Sequence, residues 1–338
     1  MQRILRAFSI VFIVVAFCAV SCDSPQEPEY DPWEEFYLPG SPGSVSDIFF
    51  NDPSDGWACT SGGYIHKYDG NTWELSASLD FHGDCNGVSS EIELYDVDFS
   101  SRDDGWAVGI TSDYPRFPVI FNYDGEDWTD VTPEIAEDYG VYSVSAVSPN
   151  DVWFGGEHGY VIHYDGTSFT PSFLPKQNDV LAMHFLNEDF GVALTAGFLF
   201  FYDGEQWNYD RDKYPICDVY VGDTHGDLYF GDVDDGWVVS ASWFGPELPV
   251  RAYAYHFNGR TWEDIGFFTK LRRYLYDVHG NGGDNVWVVS SKRTWKYDGV
   301  EWLNVPIPEG TYPYCIWVTE TNDVWVGCNN GTIIKYKG

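Results

Sequence analysis

The sequence predicts an all-β chain, a seven-bladed β-propeller of four-stranded blades whose ring is closed by an N-terminal strand at Trp33 that completes the last blade. Three observations carry this. An aromatic-x-Gly phrase recurs seven times: Tyr68-Asp69-Gly70, Tyr123-Asp124-Gly125, Tyr164-Asp165-Gly166, Tyr202-Asp203-Gly204, Phe257-Asn258-Gly259, Tyr297-Asp298-Gly299 and Tyr336-Lys337-Gly338. Upstream of each stands a second marker, Trp57, Trp106, Trp153, Trp237, Trp287 or Trp325, with Val192 in the weakest copy. The glycines recur every 38 to 55 residues, the period of propeller repeats.

The elements follow in order. Arg3 and Arg6 precede a short apolar run, Ala7 to Val20, too short for a comfortable membrane span. It ends in Ala19-Val20-Ser21-Cys22, which resembles a bacterial lipobox. Residues 1–21 therefore read as a lipoprotein signal peptide and Cys22 as the lipidated residue. Residues 22–32, acidic and Pro-containing, read as a tether, and 33–338 as the propeller.

Each repeat holds four short runs of β-branched and aromatic residues, punctuated by Asp-Gly, Gly-Gly and Asn-Gly turns. The inner strand alternates, as in "LYDVDF" (Leu94 to Phe99). An aromatic follows the phrase by three residues at Trp73, Trp128, Phe169, Trp207, Trp262 and Trp302. The seventh is missing because Gly338 ends the sequence, and Trp33 in "PWEEFYLPG" is expected to supply it. The repeated phrase is thus scaffold.

The run "LYDVDFSSRDDGWAVG" resembles the photosystem-assembly-factor propellers and their bacterial-neuraminidase-like relatives, over all seven units. That resemblance implies the propeller fold. It departs from the Asp-box of sialidases, because Tyr68, Tyr123 and Tyr164 stand where that Asp would be, which weakens any inference to sialidase chemistry.

The 338 residues carry a formal charge of −35, spread along the chain. General nucleic-acid binding is therefore not expected, since phosphate neutralisation needs clustered Lys and Arg. Against this background the insertions fall on one face. "TSDYPRFP" and "ASWFGPELPVRA" lie between the second and third strands of blades 2 and 5, and long links leave blades 1 and 5. "GDTHGDLYFGDVDDG" reads as a long loop of blade 5 on the opposite face.

Ligand-binding candidates on the insertion face are Trp243, Phe244, Arg251, Arg272, Arg273, Arg293, Tyr114 and Phe117. Arg forks suit carboxylate, sulfate or phosphate, and exposed aromatics suit sugar rings or protein hot spots. The bland alternatives are loop charge and aromatics that pin long loops to the rim.

No phosphate loop, nucleophile elbow or paired zinc-type CxxC is present, so no catalytic set, metal or other cofactor is expected. Cys59 and Cys328 lie on strands that closure makes adjacent, where a disulfide could staple the seam. Asp47, Asp96, Asp218 and Asp277 occupy similar places on inner strands, either lining the channel or capping backbone groups.

The expected function is a non-enzymatic envelope lipoprotein. It is a monomer on the periplasmic or cell-surface side, held to the membrane by its lipid alone, that binds a protein partner or an anionic glycan through the insertion face. The alternatives are a carbohydrate-active enzyme, sialidase-like hydrolase or lyase, with Tyr274 and the arginines as candidates by type, and a purely structural assembly factor.

Overall fold

A computed structural model describes residues 32–338 except 41–42, 80–90, 113–115, 137–138, 213–214, 218–220, 222–224, 243–249 and 266–273. The strands form seven antiparallel four-stranded sheets. Blade 1 comprises β2 to β5 (Val45–Asp52, Asp55–Thr60, Tyr64–Tyr68, Trp73–Ser78). Blades 2 to 6 repeat that order from channel to rim. Blade 7 is closed by β1 (Trp33–Tyr37), which pairs with β28 (Thr332–Tyr336) in the register Trp33↔Tyr336. The N-terminal strand thus joins the two ends of the chain.

Closure is held by packing as well as by the ladder. Trp33 is buried, its ring 6.4 Å from Trp287 and 5.2 Å from Tyr336, and its Nε1 donates to the Pro306 carbonyl at 2.6 Å. The same logic runs round the ring. The second-strand Trp of every blade but the fourth, where Val192 stands, faces aromatics of the following blade: Trp57 stacks on Phe99 at 4.7 Å and meets Tyr123 and Trp128. Burying such a ring is worth roughly 4–5 kcal/mol at ~25 cal/mol per Å². Neighbouring blades are therefore glued face to face, with no residual edge at the seam.

The Tyr-Asp-Gly phrase is the turn between third and fourth strands. Asp69 Oδ1 accepts the Asn71 and Thr72 backbone N–H groups, and Asp124, Asp165, Asp203, Asn258 and Asp298 repeat the arrangement. The glycine that follows is left-handed in every copy, φ +95° at Gly70 and +97° at Gly125, which an L side chain resists.

Two expectations need correction. Blade 5's inner strand is β18 (His225–Asp232), so the stretch read as a loop of the opposite face is a strand. Its inner-strand Asp is Asp227; Asp218 precedes the strand and lies outside the described residues. The weak alternation of "HGDLYFGD" and the more hydrophobic "ICDVYV" ahead of it caused the shift. The long connection therefore precedes blade 5, between the outer strand of blade 4 (Trp207–Asn208) and this inner strand. The second correction is that Cys59 and Cys328 are both buried free thiols, so no bond joins them. They pack in different core clusters, with Cys315, also free, in a third.

Candidate functional site

The inner strands begin on the insertion face, where the links between blades are tied to the turns between second and third strands. Leu79 donates its N–H to the Gly63 carbonyl, Leu174 to Gly159 and Leu38 to Gly331. Of the residues singled out from sequence, Arg251 and Arg293 are exposed and open the third strands of blades 5 and 6. Arg293 donates to Asn304 Oδ1 at 3.1 Å, and neighbouring Lys292 sits 5.5 Å over Tyr312. Phe117 is half-buried, its N–H bonded to Thr111 Oγ1 at 2.9 Å and its carbonyl to the Thr111 N–H at 2.8 Å, so it anchors its loop. Trp243, Phe244, Arg272, Arg273 and Tyr114 lie outside the described residues, as does Cys22. Tyr274 packs at 4.6 Å on His225.

Sequence reasoning offered the inner-strand aspartates as lining the channel, one of two readings, but passed over the tyrosines at its mouth. In a regular strand successive side chains take opposite faces, so Tyr95 and Asp96 cannot both face one way. Here they do, because the inner strand is bulged. Leu94 pairs with Gly109 and Asp96 with Val108, which leaves Tyr95 as the extra residue. The same skip isolates Ser46, Tyr142, Leu181, Tyr276 and Tyr314 in five further blades, while blade 5 runs straight through Gly226. Bulge residue and successor both line a central cavity of about 410 Å³. Four tyrosines therefore ring its mouth, with Tyr95 against Tyr142 at 5.4 Å and Tyr276 against Tyr314 at 5.8 Å. The signal was present as "LYD", "VYS", "LYD" and "PYC", but only a bulge gives it meaning.

Below the tyrosines lie carboxyls. Each inner strand is an edge whose N–H groups need partners, and side chains of the preceding blade supply them. Asp47 accepts from Val97 N–H (3.2 Å), Asp96 from Val144 (2.8 Å), Asp98 from Ala146 (2.8 Å) and Asp277 from Ile316 (2.6 Å). Ser143 and Ser145 do the same for Met183 and Phe185 at 2.9 and 3.0 Å. His279 Nδ1 accepts from Val318 N–H at 3.1 Å, which leaves the ring proton on Nε2. Backbone capping, one of the two sequence readings, is thus real, and so is lining of the channel.

The carboxyls are strongly perturbed. Burial pushes Asp98 up to about 8, and burial with the neighbouring Asp96 charge raises Asp47 well above the carboxylate range. Burial likewise raises Asp96 and Asp227, and burial with the Asp227 charge raises Asp277. The charge of Asp96 is one cause of the rise at Asp47, and that of Asp227 of the rise at Asp277, so each pair resists carrying two charges at once. None of the described lining residues is Lys or Arg.

An aromatic collar floors the cavity. His279 packs at 4.0 Å on Trp317 and 4.6 Å on Tyr229, and Phe49 at 4.8 Å on Trp317. Burial holds His184 down to about 4 and His279 to about 3, so both rings are neutral at pH 7. Beyond the collar a second cavity of about 590 Å³ opens among the hairpins of the opposite face.

No family model and no curated protein matches the sequence. Solved structures do. YCF48 bound to D1 peptide superposes with a TM-score of 0.65 at 16% identity, covering 92% of this chain and 96% of that one. YCF48 from Cyanidioschyzon merolae gives 0.65 at 16% over 90% and 98%. Virginiamycin B lyase from Staphylococcus aureus gives 0.62 at 11% over 90% and 98%. The chain is a seven-bladed propeller that resembles a photosystem assembly factor, as its repeats suggested. Identities this low show the fold alone.

Proposed function

We propose that this chain is an exported, lipid-anchored propeller that binds a protein partner through its insertion face. The observation that carries this is the convergence there of the inter-blade links, the exposed Arg251 and Arg293, and the tyrosine-ringed mouth of the central cavity. Arg and Tyr beside a concave opening are the residue types that dominate protein interfaces. A propeller of this kind seen with a peptide, YCF48 with D1 peptide, adds a precedent for the mode and none for the partner. An anionic glycan remains a second ligand class, favoured by the same two arginines.

Two measurements test the proposal. Residues 31–338 on a glycan array at low and high salt, with a pull-down from envelope extract beside it, should give a specific protein and no salt-sensitive acidic glycan. A glycan hit lost in Arg251→Ala/Arg293→Ala would reverse the assignment. Metabolic labelling with an alkyne fatty acid should mark the full chain and vanish in Cys22→Ser; persistent labelling would refute the anchor.

A further inference from the structure

We propose that the 410 Å³ cavity is a socket for a basic side chain, a Lys or Arg presented by the segment of the partner that docks on the insertion face. The inference rests on the partner-binding reading above and specifies what the partner must carry.

The carboxyls exceed what the fold requires. Ser143 and Ser145 cap the backbone of the next blade as well as Asp96 and Asp98 do, at 2.9 and 3.0 Å against 2.8 Å. Capping therefore needs a hydroxyl, which carries no charge to desolvate. Five carboxyls nonetheless share this chamber, and none of its described lining residues is Lys or Arg. A chamber built this way lacks a positive charge, and a guest can bring one.

The rim points the same way, independently of the carboxyls. Tyr95 and Tyr142 have their hydroxyls committed to Glu93 (3.1 Å) and Glu157 (2.7 Å). Tyr276 and Tyr314 have no described hydrogen-bond partner, and Tyr314 is 38% exposed. Tyrosine rings above a floor of carboxyls suit a cation, which is drawn to an aromatic quadrupole and can share the carboxyls' hydrogen bonds. It also suits an amphipathic side chain, whose apolar stem lies along the rings while its head goes deeper. The volume falls within the ~300–1,000 Å³ of ordinary ligand pockets. Among the described residues no three His, Cys, Asp or Glu are grouped to hold a metal ion, so an organic cation suits the chamber better. The charge of −35 would steer a basic partner toward the mouth.

The test has two arms. In the first, n-butylammonium and n-butylguanidinium are titrated into the protein, with n-butanol and butyrate as controls, by calorimetry and by intrinsic tryptophan fluorescence. The cations should bind, the controls should not, and Asp47→Asn/Asp96→Asn should weaken binding at least tenfold. In the second, a random dodecapeptide library is panned against the protein. Enriched peptides should share one Lys or Arg whose replacement by norleucine costs at least tenfold, and the cost should shrink in the double variant.

Equal binding of butanol, or cation binding unchanged in the double variant, overturns the socket. So does the absence of any cation binding. Tight peptides lacking a basic residue would leave the partner-binding reading standing and the socket refuted. Cation binding with no basic peptide would assign the cavity to a free amine, refuting the protein-borne guest. Should the double variant fail to fold, Tyr314→Leu at the exposed rim is expected to lose cation affinity several-fold while its melting temperature stays put; retained affinity there counts against the proposal.

Discussion

Trp33→Ala is the substitution that interrogates ring closure. The side chain is 3% exposed, meets Trp287 and Tyr336 edge-on and donates to the Pro306 carbonyl. Truncating a buried Trp costs about 3–5 kcal/mol. At this chain length 1 kcal/mol shifts the melting temperature by about 2 °C, so a fall of about 6–10 °C is expected. Because Trp33 bridges the outer strand of blade 7 and the core of blade 6, the whole transition should move as one. The control sits on the same strand: Tyr37 is 69% exposed, and Tyr37→Ala should stay within about 0.5 kcal/mol. Calorimetric melts of both variants decide the matter. Equal melting temperatures for Trp33→Ala and wild type, or an early separate transition in the variant, would refute closure by packing of this strand.

Further outcomes follow from the channel, the turns and the seam. Asp98 is raised to about 8, so the folded state holds a proton the unfolded chain releases near its ordinary value of ~3.9. This stabilisation is complete below the unfolded value and lost as pH climbs through 8. Between pH 7 and 8 the lowered His184 and His279 are neutral when folded and mostly neutral when unfolded, where their ordinary value is ~6.5, so one group at ~1.4 kcal/mol per pH unit, itself titrating near 8, costs about 1 kcal/mol. Urea midpoints should fall across that window, less steeply in Asp98→Asn; a flat wild-type profile would contradict the assignment. Gly125→Ala, at φ +97° with its new Cβ 3.1 Å from Asp103, should cost about 1–2 kcal/mol in urea melts, and a neutral result would deny the left-handed turn. Burial raises the Cys59, Cys315 and Cys328 thiols, so Ellman's reagent should leave all three unlabelled until unfolding. A melting temperature that drops in dithiothreitol would reveal a seam disulfide after all.

Seven blades, their phase and the role of Trp33 were legible in the sequence because turns and strand alternation are local. A left-handed Gly after an Asx turn, and a Trp buried against the next blade, recur wherever the same geometry recurs. Locality fails where two segments compete for one role. Residues 225–232 displaced the more hydrophobic "ICDVYV" as blade 5's inner strand because they, and not it, run straight into the Asp235–Ser242 strand through a tight hairpin. The histidines show the same limit. His163 and His256 stack on Trp153 and Trp237 and bond Asp151 and Asp235, a place held by Lys67 in blade 1. His66, one residue off in phase, turns inward to donate to the Pro39 carbonyl.

The sequence by itself determined the architecture and the closing strand, since both follow from short-range periodicity. Only the tertiary structure decided what the channel is. A bulge turns two neighbouring residues to one side, and the inner strands bring carboxyls and tyrosines together from positions up to 267 residues apart, Asp47 to Tyr314. Their mutual desolvation, and the chemistry that comes with it, exists only once the ring has closed.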